Sequence, residues 1–233
     1  MKVLNRNQIK YIAVTAMLVD HIAWLFVTPF TPEWQIMHFI GRFTGPAMAV
    51  FIAEGYRYTG DVDRYTLRLG LFALISWPCF SLMETGRIEP MFGVIYTLFL
   101  SLIAIRICDS KLNIVVKVIG VALMFVLSLY GDWRIFDVAF ALAAHLFYEK
   151  KVLRWTVHCA ITACSVAYVI ILYTSRGWPW TVSVYEFGEF LVPLVFCLFY
   201  NGESGSRRPF HKWVFYVFYP LHMLVLWVFR YLI

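Results

Sequence analysis

Charge is what this sequence has least of: 15% of its 233 residues are Asp, Glu, Lys or Arg, against 61% hydrophobic and a mean hydropathy of +0.72. Soluble domains carry about 25% charged residues, so a water-facing surface around this much apolar material is excluded. The short alternating segments of a membrane β-barrel are missing. There are no internal repeats, no low-complexity tracts and no loop long enough to be a soluble domain. None of the five cysteines (Cys79, Cys108, Cys159, Cys164, Cys197) forms a CxxC pair, so they read as packing residues, and neither a disulfide nor a metal site is expected.

What is present is a succession of apolar runs of membrane-spanning length. A crossing helix needs about 17–25 apolar residues. Nine spans are expected, near 10–28, 36–56, 66–83, 91–107, 113–130, 134–149, 152–173, 185–200 and 213–232, with eight as the alternative because only "GDW" separates the fifth from the sixth. The first run follows Lys2, Arg6 and Lys10 like a signal peptide. Asp20 and His21 interrupt it and no small-residue cleavage pattern follows, so it reads as a retained helix. The fold class expected is all-α: one polytopic membrane helix bundle over residues 1–233.

Basic residues sort to one side of this scheme. Fifteen fall at the N-terminus and in alternate loops (Lys2, Arg6, Lys10; Arg57, Arg64, Arg68; Arg106, Lys111, Lys117; Lys150, Lys151, Arg154; Arg207, Arg208, Lys212), and four on the other side (Arg87, Arg134, Arg176, Arg230). Arg42 lies inside the second span. By the positive-inside rule the N-terminus is cytoplasmic and the C-terminus exterior. The net charge of +6 then reports topology and calls for no nucleic-acid partner.

Ionisable residues in lipid cost about 2.5–3.5 kcal/mol each on insertion scales, so they are the candidates for function. They are Asp20, His21, Arg42, Glu54, Asp137, His145, His158, Glu186, Glu189 and His222. In "MLVDHIAWLF" the first two are adjacent, and adjacent helical residues diverge by about 100°. Asp20 is therefore a poor partner for His21 and is expected to pair with Arg42 on the adjoining span, as a structural pair or as part of a reacting site. His21 lies eleven residues after Lys10, on one helical stripe and about 16 Å deeper. It is either a general base reached by a phosphate-bearing co-substrate or an imidazole hydrogen-bonded between helices.

His222 comes about ten residues into the last span, at a depth like that of His21, just after Pro220. In the second span, Gly41, Gly45 and Pro46 permit close approach or a kink. Glu54 can orient His21, bind an amine, or snorkel towards Arg57 and Arg64.

With these residues assembled, the sequence resembles the TraX family of multi-pass membrane proteins. The blocks that carry it are "KYIAVTAMLVDHIAWLF", "IGRFTGPAMAVFIAEGYRYT", "DRYTLRLGLFALISWPCF" and "LFYNGESG…KWVFYVFYPLHMLVLWVF", about half of the chain. The resemblance implies N-terminal acetylation of pilin subunits with acetyl-CoA as donor, in the bacterial inner membrane. It also implies kinship with the wider multi-pass membrane acyltransferases, whose basic-x10-His motif would fall on Lys10 and His21. On that basis His21 is the catalytic base, with Asp20, Glu54 and His222 as the site's other reacting-centre members. Lys10, Arg42, Arg57, Arg68 and Tyr219 are the contacts expected for acetyl-CoA.

Two features depart from the family pattern: "RIEPMFGVIYTLFL" lacks the Asn expected at the start of a helix, and "YGDW" replaces a more regular Tyr-Gly turn. The expected partners are acetyl-CoA, membrane lipid, and an acceptor that is a pilin-like peptide or a cell-surface glycan. A proton-coupled transporter and a non-catalytic pilus-assembly factor are the competing classes.

Overall fold

A computed structural model describes residues 2–206 and 208–231. Arg207, one of the basic residues counted above, and residue 232 of the ninth expected span lie outside them. The described chain is helical, with isolated bridges (Leu4 to Tyr200, Phe92 to Gly131) as its only β pairing. The helices are α1 (Arg6–Phe26), α2 (Pro32–Gly41), α3 (Thr44–Tyr58), α4 (Val62–Thr85), α5 (Val94–Asp109), α6 (Ile114–Ser128), α7 (Arg134–Leu146), α8 (Lys151–Ser175), α9 (Leu191–Leu198) and α10 (Pro209–Tyr231). A 3₁₀ helix, Trp180–Phe190, runs into α9.

Local chemistry sets many of these boundaries. Asn5 and Gln8 close a capping box on α1, Thr31 caps α2 ahead of Pro32, Asp61 caps α4, and left-handed Gly86 ends it. The expected second span is divided between α2 and α3 at Arg42–Phe43. Pro46 has no N–H to offer the Arg42 carbonyl, so the helical ladder lapses there. The freed start of α3 is held instead by the Thr44 hydroxyl, which donates to the Ala13 carbonyl at 2.8 Å.

Among the described residues, six segments are long and apolar enough to cross a membrane: Arg6–Phe26, Pro32–Tyr58, Val62–Thr85, Lys151–Ser175, Trp180–Leu198 and Pro209–Tyr231. At 16, 15 and 13 residues, α5, α6 and α7 are shorter. The chain is an all-helical membrane protein. Its exposed apolar side chains, such as Ile114, Val115, Val118 and Ile119 along α6, face the solvent that suits them only if that solvent is lipid.

The chain forms two compact units, one of residues 1–47 with 151–212 and one of 48–150 with 213–233. In the first, α1 packs on α2, and both α2 and α8 pack on the 3₁₀ helix. In the second, α5 is central, with α4, α6 and α7 against it. Met83, Leu102, Ile105, Val138, Phe140 and Met223 are completely or almost completely buried there.

Within the second unit a device at the start of α5 uses the last helix. Gly93 precedes α5 and has no side chain to cap it. The Tyr219 hydroxyl accepts the Val94 N–H at 2.9 Å, in the space that a Cβ on Gly93 would fill. An orphan N–H of a helix terminus is thereby satisfied from another helix.

Candidate active site

Several polar side chains of the first unit gather where α1, α2 and the 3₁₀ helix meet. Asp20 is the centre. Its Oδ1 accepts the Nδ1–H of His38 at 2.8 Å, and Arg42 reaches both of its oxygens at 3.4 Å. Arg42 also lies 3.8 Å from Oε1 of Glu186, and its guanidinium stands 5.5 Å from the centre of the Tyr185 ring. Aromatic rings wall the imidazole of His38, with centroids at 4.1 Å for Trp34, 5.4 Å for Tyr185 and 5.8 Å for Trp24.

Two close approaches make this convergence possible. Gly41 faces Asp20, and a Cβ there would occupy the carboxylate's own space. Gly188 lies against the Phe39 carbonyl, so the 3₁₀ helix meets the α2 backbone directly.

The 3₁₀ geometry itself sorts the side chains. Residues three apart eclipse in such a helix. Val182, Tyr185 and Gly188 therefore form one buried row, which meets α2 at Trp34, Gln35 and Phe39. Ser183, Glu186 and Glu189 form a second buried row, from which Glu186 faces Arg42 and Glu189 accepts the Ser165 hydroxyl of α8 at 2.8 Å. An α-helix over the same residues would fan each row by about 60° per step.

The expected pairing of Asp20 with Arg42 is present, and a stronger contact accompanies it. His38 was not among the residues singled out by sequence, yet it makes the shortest bond to Asp20. The available signal was its position four residues before Arg42, on the same helix face. His21 is buried on the next position of α1. Because α1 is unbroken from Arg6 to Phe26, the eleven-residue register between Lys10 and His21 is a single straight stripe.

Lys10, Asp20, His21 and Arg42 thus belong to the first unit, and Glu54, Arg57, Arg68, Tyr219 and His222 to the second. Glu54 is 4% exposed, which departs from the snorkelling alternative; Arg57 pairs with Glu149 and Arg64 with Asp61. Arg68 stands over the rings of Tyr65 and Tyr216 at 5.6 and 5.4 Å. Tyr219 spends its hydroxyl on Val94. Nδ1 of His222 donates to the Phe218 carbonyl at 2.8 Å, one turn back on α10. Of the weaker candidates, Asp137 accepts the Thr97 hydroxyl at 2.7 Å, His145 pairs with Asp109 at 3.0 Å, and His158 is buried beside Trp155. No group of three or more His, Cys, Asp or Glu residues suited to a metal occurs among the described residues.

The family model described as TraX protein matches residues 5–230, across both units. The chain belongs to the TraX family. Within the reach of that match it is also similar to the probable fimbrial assembly protein FimC, serogroup H1, of Dichelobacter nodosus. The two are 31% identical over 229 residues, covering 94% of this chain and 93% of that protein. No solved structure matches it. The TraX match takes in both departures noted in the sequence, so neither the missing Asn nor "YGDW" removes the chain from the family.

Proposed function

We propose that this TraX-family chain is an acetyltransferase of the bacterial inner membrane, moving the acetyl group of acetyl-CoA to an amine acceptor, with His21 as general base. The acceptor is a peptide N-terminus of the pilin type, a reading to which the fimbrial assembly name of the relative lends support.

The observation that carries the proposal is the unbroken stripe of α1. Lys10 stands near one end of the helix and buried His21 lies about 16 Å along it. Arg6 on α1 and Lys151 and Arg154 on α8 are at the basic end of the same unit, which suits the phosphates of CoA. These basic groups suit a polyanion at the rim, and the separation of about 16 Å between Lys10 and His21 along the helix suits a thin arm carrying a thioester. Asp20 is engaged by His38 and Arg42, so the adjacent carboxylate and imidazole have separate work.

In this reading His21 removes a proton from the acceptor nitrogen as it attacks the thioester carbonyl. Arg42, beside Asp20, supplies positive charge for the developing oxyanion. The amine–carbon bond forms, the carbon–sulfur bond breaks, and the proton on His21 passes to the departing thiolate.

The test is transfer of labelled acetyl from acetyl-CoA by the purified protein in lipid nanodiscs, with peptides and oligosaccharides offered together and His21→Ala run in parallel. Label on a peptide amine with wild type alone is the expected result. Label in an alkali-labile sugar ester would move the acceptor to a glycan. A folded, monodisperse wild type with neither turnover nor CoA binding would overturn the enzyme reading in favour of a non-catalytic assembly protein.

A further inference from the structure

The polar cluster around Asp20 holds two carboxylates, Asp20 and Glu186, and one guanidinium, Arg42. The groups acting on Asp20 are Arg42, His38 and His21, and those acting on Glu186 are Arg42, Asp20, Tyr185 and His38. Two carboxylates therefore share one guanidinium. An unneutralised carboxylate is costly in a membrane interior, where such residues pair with a cation or mark a ligand's path.

Arg42 is a distant partner for Glu186. Its nitrogen is 3.8 Å away, outside hydrogen-bonding distance, and it is already shared with both oxygens of Asp20. An independent observation points the same way. Nδ1 of His38 is taken up by Asp20, and its Nε2 is buried without a hydrogen-bond partner while the residue is 1% exposed. Beside the imidazole stand the Trp34 and Tyr185 rings, and aromatic faces attract cations. The set comprises a carboxylate with a shared and distant cation, an imidazole nitrogen without a partner, and aromatic rings beside the imidazole.

We propose that Glu186 and Nε2 of His38, walled by Trp34 and Tyr185, bind a primary ammonium group. An ammonium supplies a positive charge and up to three N–H donors on one atom; a sugar hydroxyl supplies no charge. The cluster lies towards the end of the unit carrying the 28–31 and 176–179 turns, opposite the Lys10 end. Donor and acceptor would then enter from opposite ends of the unit.

Where the acetyltransferase reading holds, on which this step alone rests, the site also readies the acceptor. The ammonium gives one proton to the Glu186 carboxylate, exposing the nitrogen lone pair. A second N–H proton leaves through His21 to the CoA sulfur as the amide bond forms and the thioester bond breaks, and the third stays on the amide nitrogen. One proton is released in net from Glu186.

The experiment is isothermal titration of the full-length protein in nanodiscs, without acetyl-CoA, so it reads binding whether or not the chain is an acetyltransferase. The ligands are leucine amide, its neutral isostere 4-methylpentanamide, N-acetylleucine amide, glucosamine and glucose. Leucine amide is expected to bind at least tenfold more tightly than both neutral analogues, and Glu186→Gln to reduce that affinity at least tenfold. Glucosamine binding with glucose failing would keep the ammonium site and identify its source as an amino sugar. Equal binding of charged and neutral ligands to wild type, or no binding of either ammonium compound, overturns the proposal without recourse to any variant. So does a folded Glu186→Gln protein with unchanged affinity for leucine amide.

Discussion

Gly41 and Asp20 occupy neighbouring helices so closely that a Cβ on the glycine would fall on the aspartate's side chain. The absence of a side chain on α2 is thus what admits the carboxylate of α1 to His38 and Arg42. Gly41→Ala should force the two helices apart and cost about 1–3 kcal/mol, as overpacking does. Thermal unfolding in detergent reads this directly, and an unchanged midpoint would contradict it.

The Asp20–His38 bond should show as coupling. Asp20→Asn removes the charge that both His38 and Arg42 face, and losing charged hydrogen bonds at this half-buried site should cost about 1.5–3 kcal/mol. His38→Gln alone should be milder. In a double-mutant cycle the two should be non-additive by about 0.5–3 kcal/mol. Strict additivity would mean that the 2.8 Å contact contributes no stability.

Activity separates Lys10 from His21 on their shared stripe. His21→Ala should lower kcat about 100-fold or more while the protein still binds CoA. Lys10→Ala should raise the KM for acetyl-CoA about tenfold through loss of a charge-assisted contact, with kcat little changed. Steady-state kinetics on both variants distinguishes these roles, and wild-type kcat in a folded His21→Ala protein would remove His21 from the chemistry.

Tyr219→Phe tests whether that hydroxyl caps α5. The change leaves the Val94 N–H buried without an acceptor and should cost about 1–3 kcal/mol. Thr97→Val should act similarly in the same unit, because it deprives Asp137 of the hydroxyl it accepts. Denaturation midpoints of the two variants, compared with wild type, are the measurement.

Much of the helical layout was legible because hydropathy reports the solvent each segment needs. Each of the nine apolar runs corresponds to a helical segment, and of the close approach or kink expected from Gly41, Gly45 and Pro46 both occur, the approach at Gly41 and the break at Arg42–Phe43. Caps such as Asn5 with Gln8 and Thr31 with Pro32 are short-range signals and could be read locally. The conformation of residues 180–190 was not legible. Its 3₁₀ form goes with a close packing of Gly188 against Phe39, a tertiary contact that no local pattern encodes.

The candidate site divides along the same line. That Asp20 and His21 diverge, and that Lys10 and His21 share a stripe, follows from helix periodicity alone, so the sequence by itself determined which residues of one helix could cooperate. It also determined membrane residence, because lipid penalises every buried charge and leaves few to consider. Which groups meet across helices was decided by the tertiary structure. His38 reaches Asp20 across eighteen residues and Glu186 reaches Arg42 from far along the chain, because glycines at 41 and 188 let three backbones come within side-chain reach. Such contacts depend on the separation of helix axes, a quantity set by packing and absent from any periodicity in the sequence.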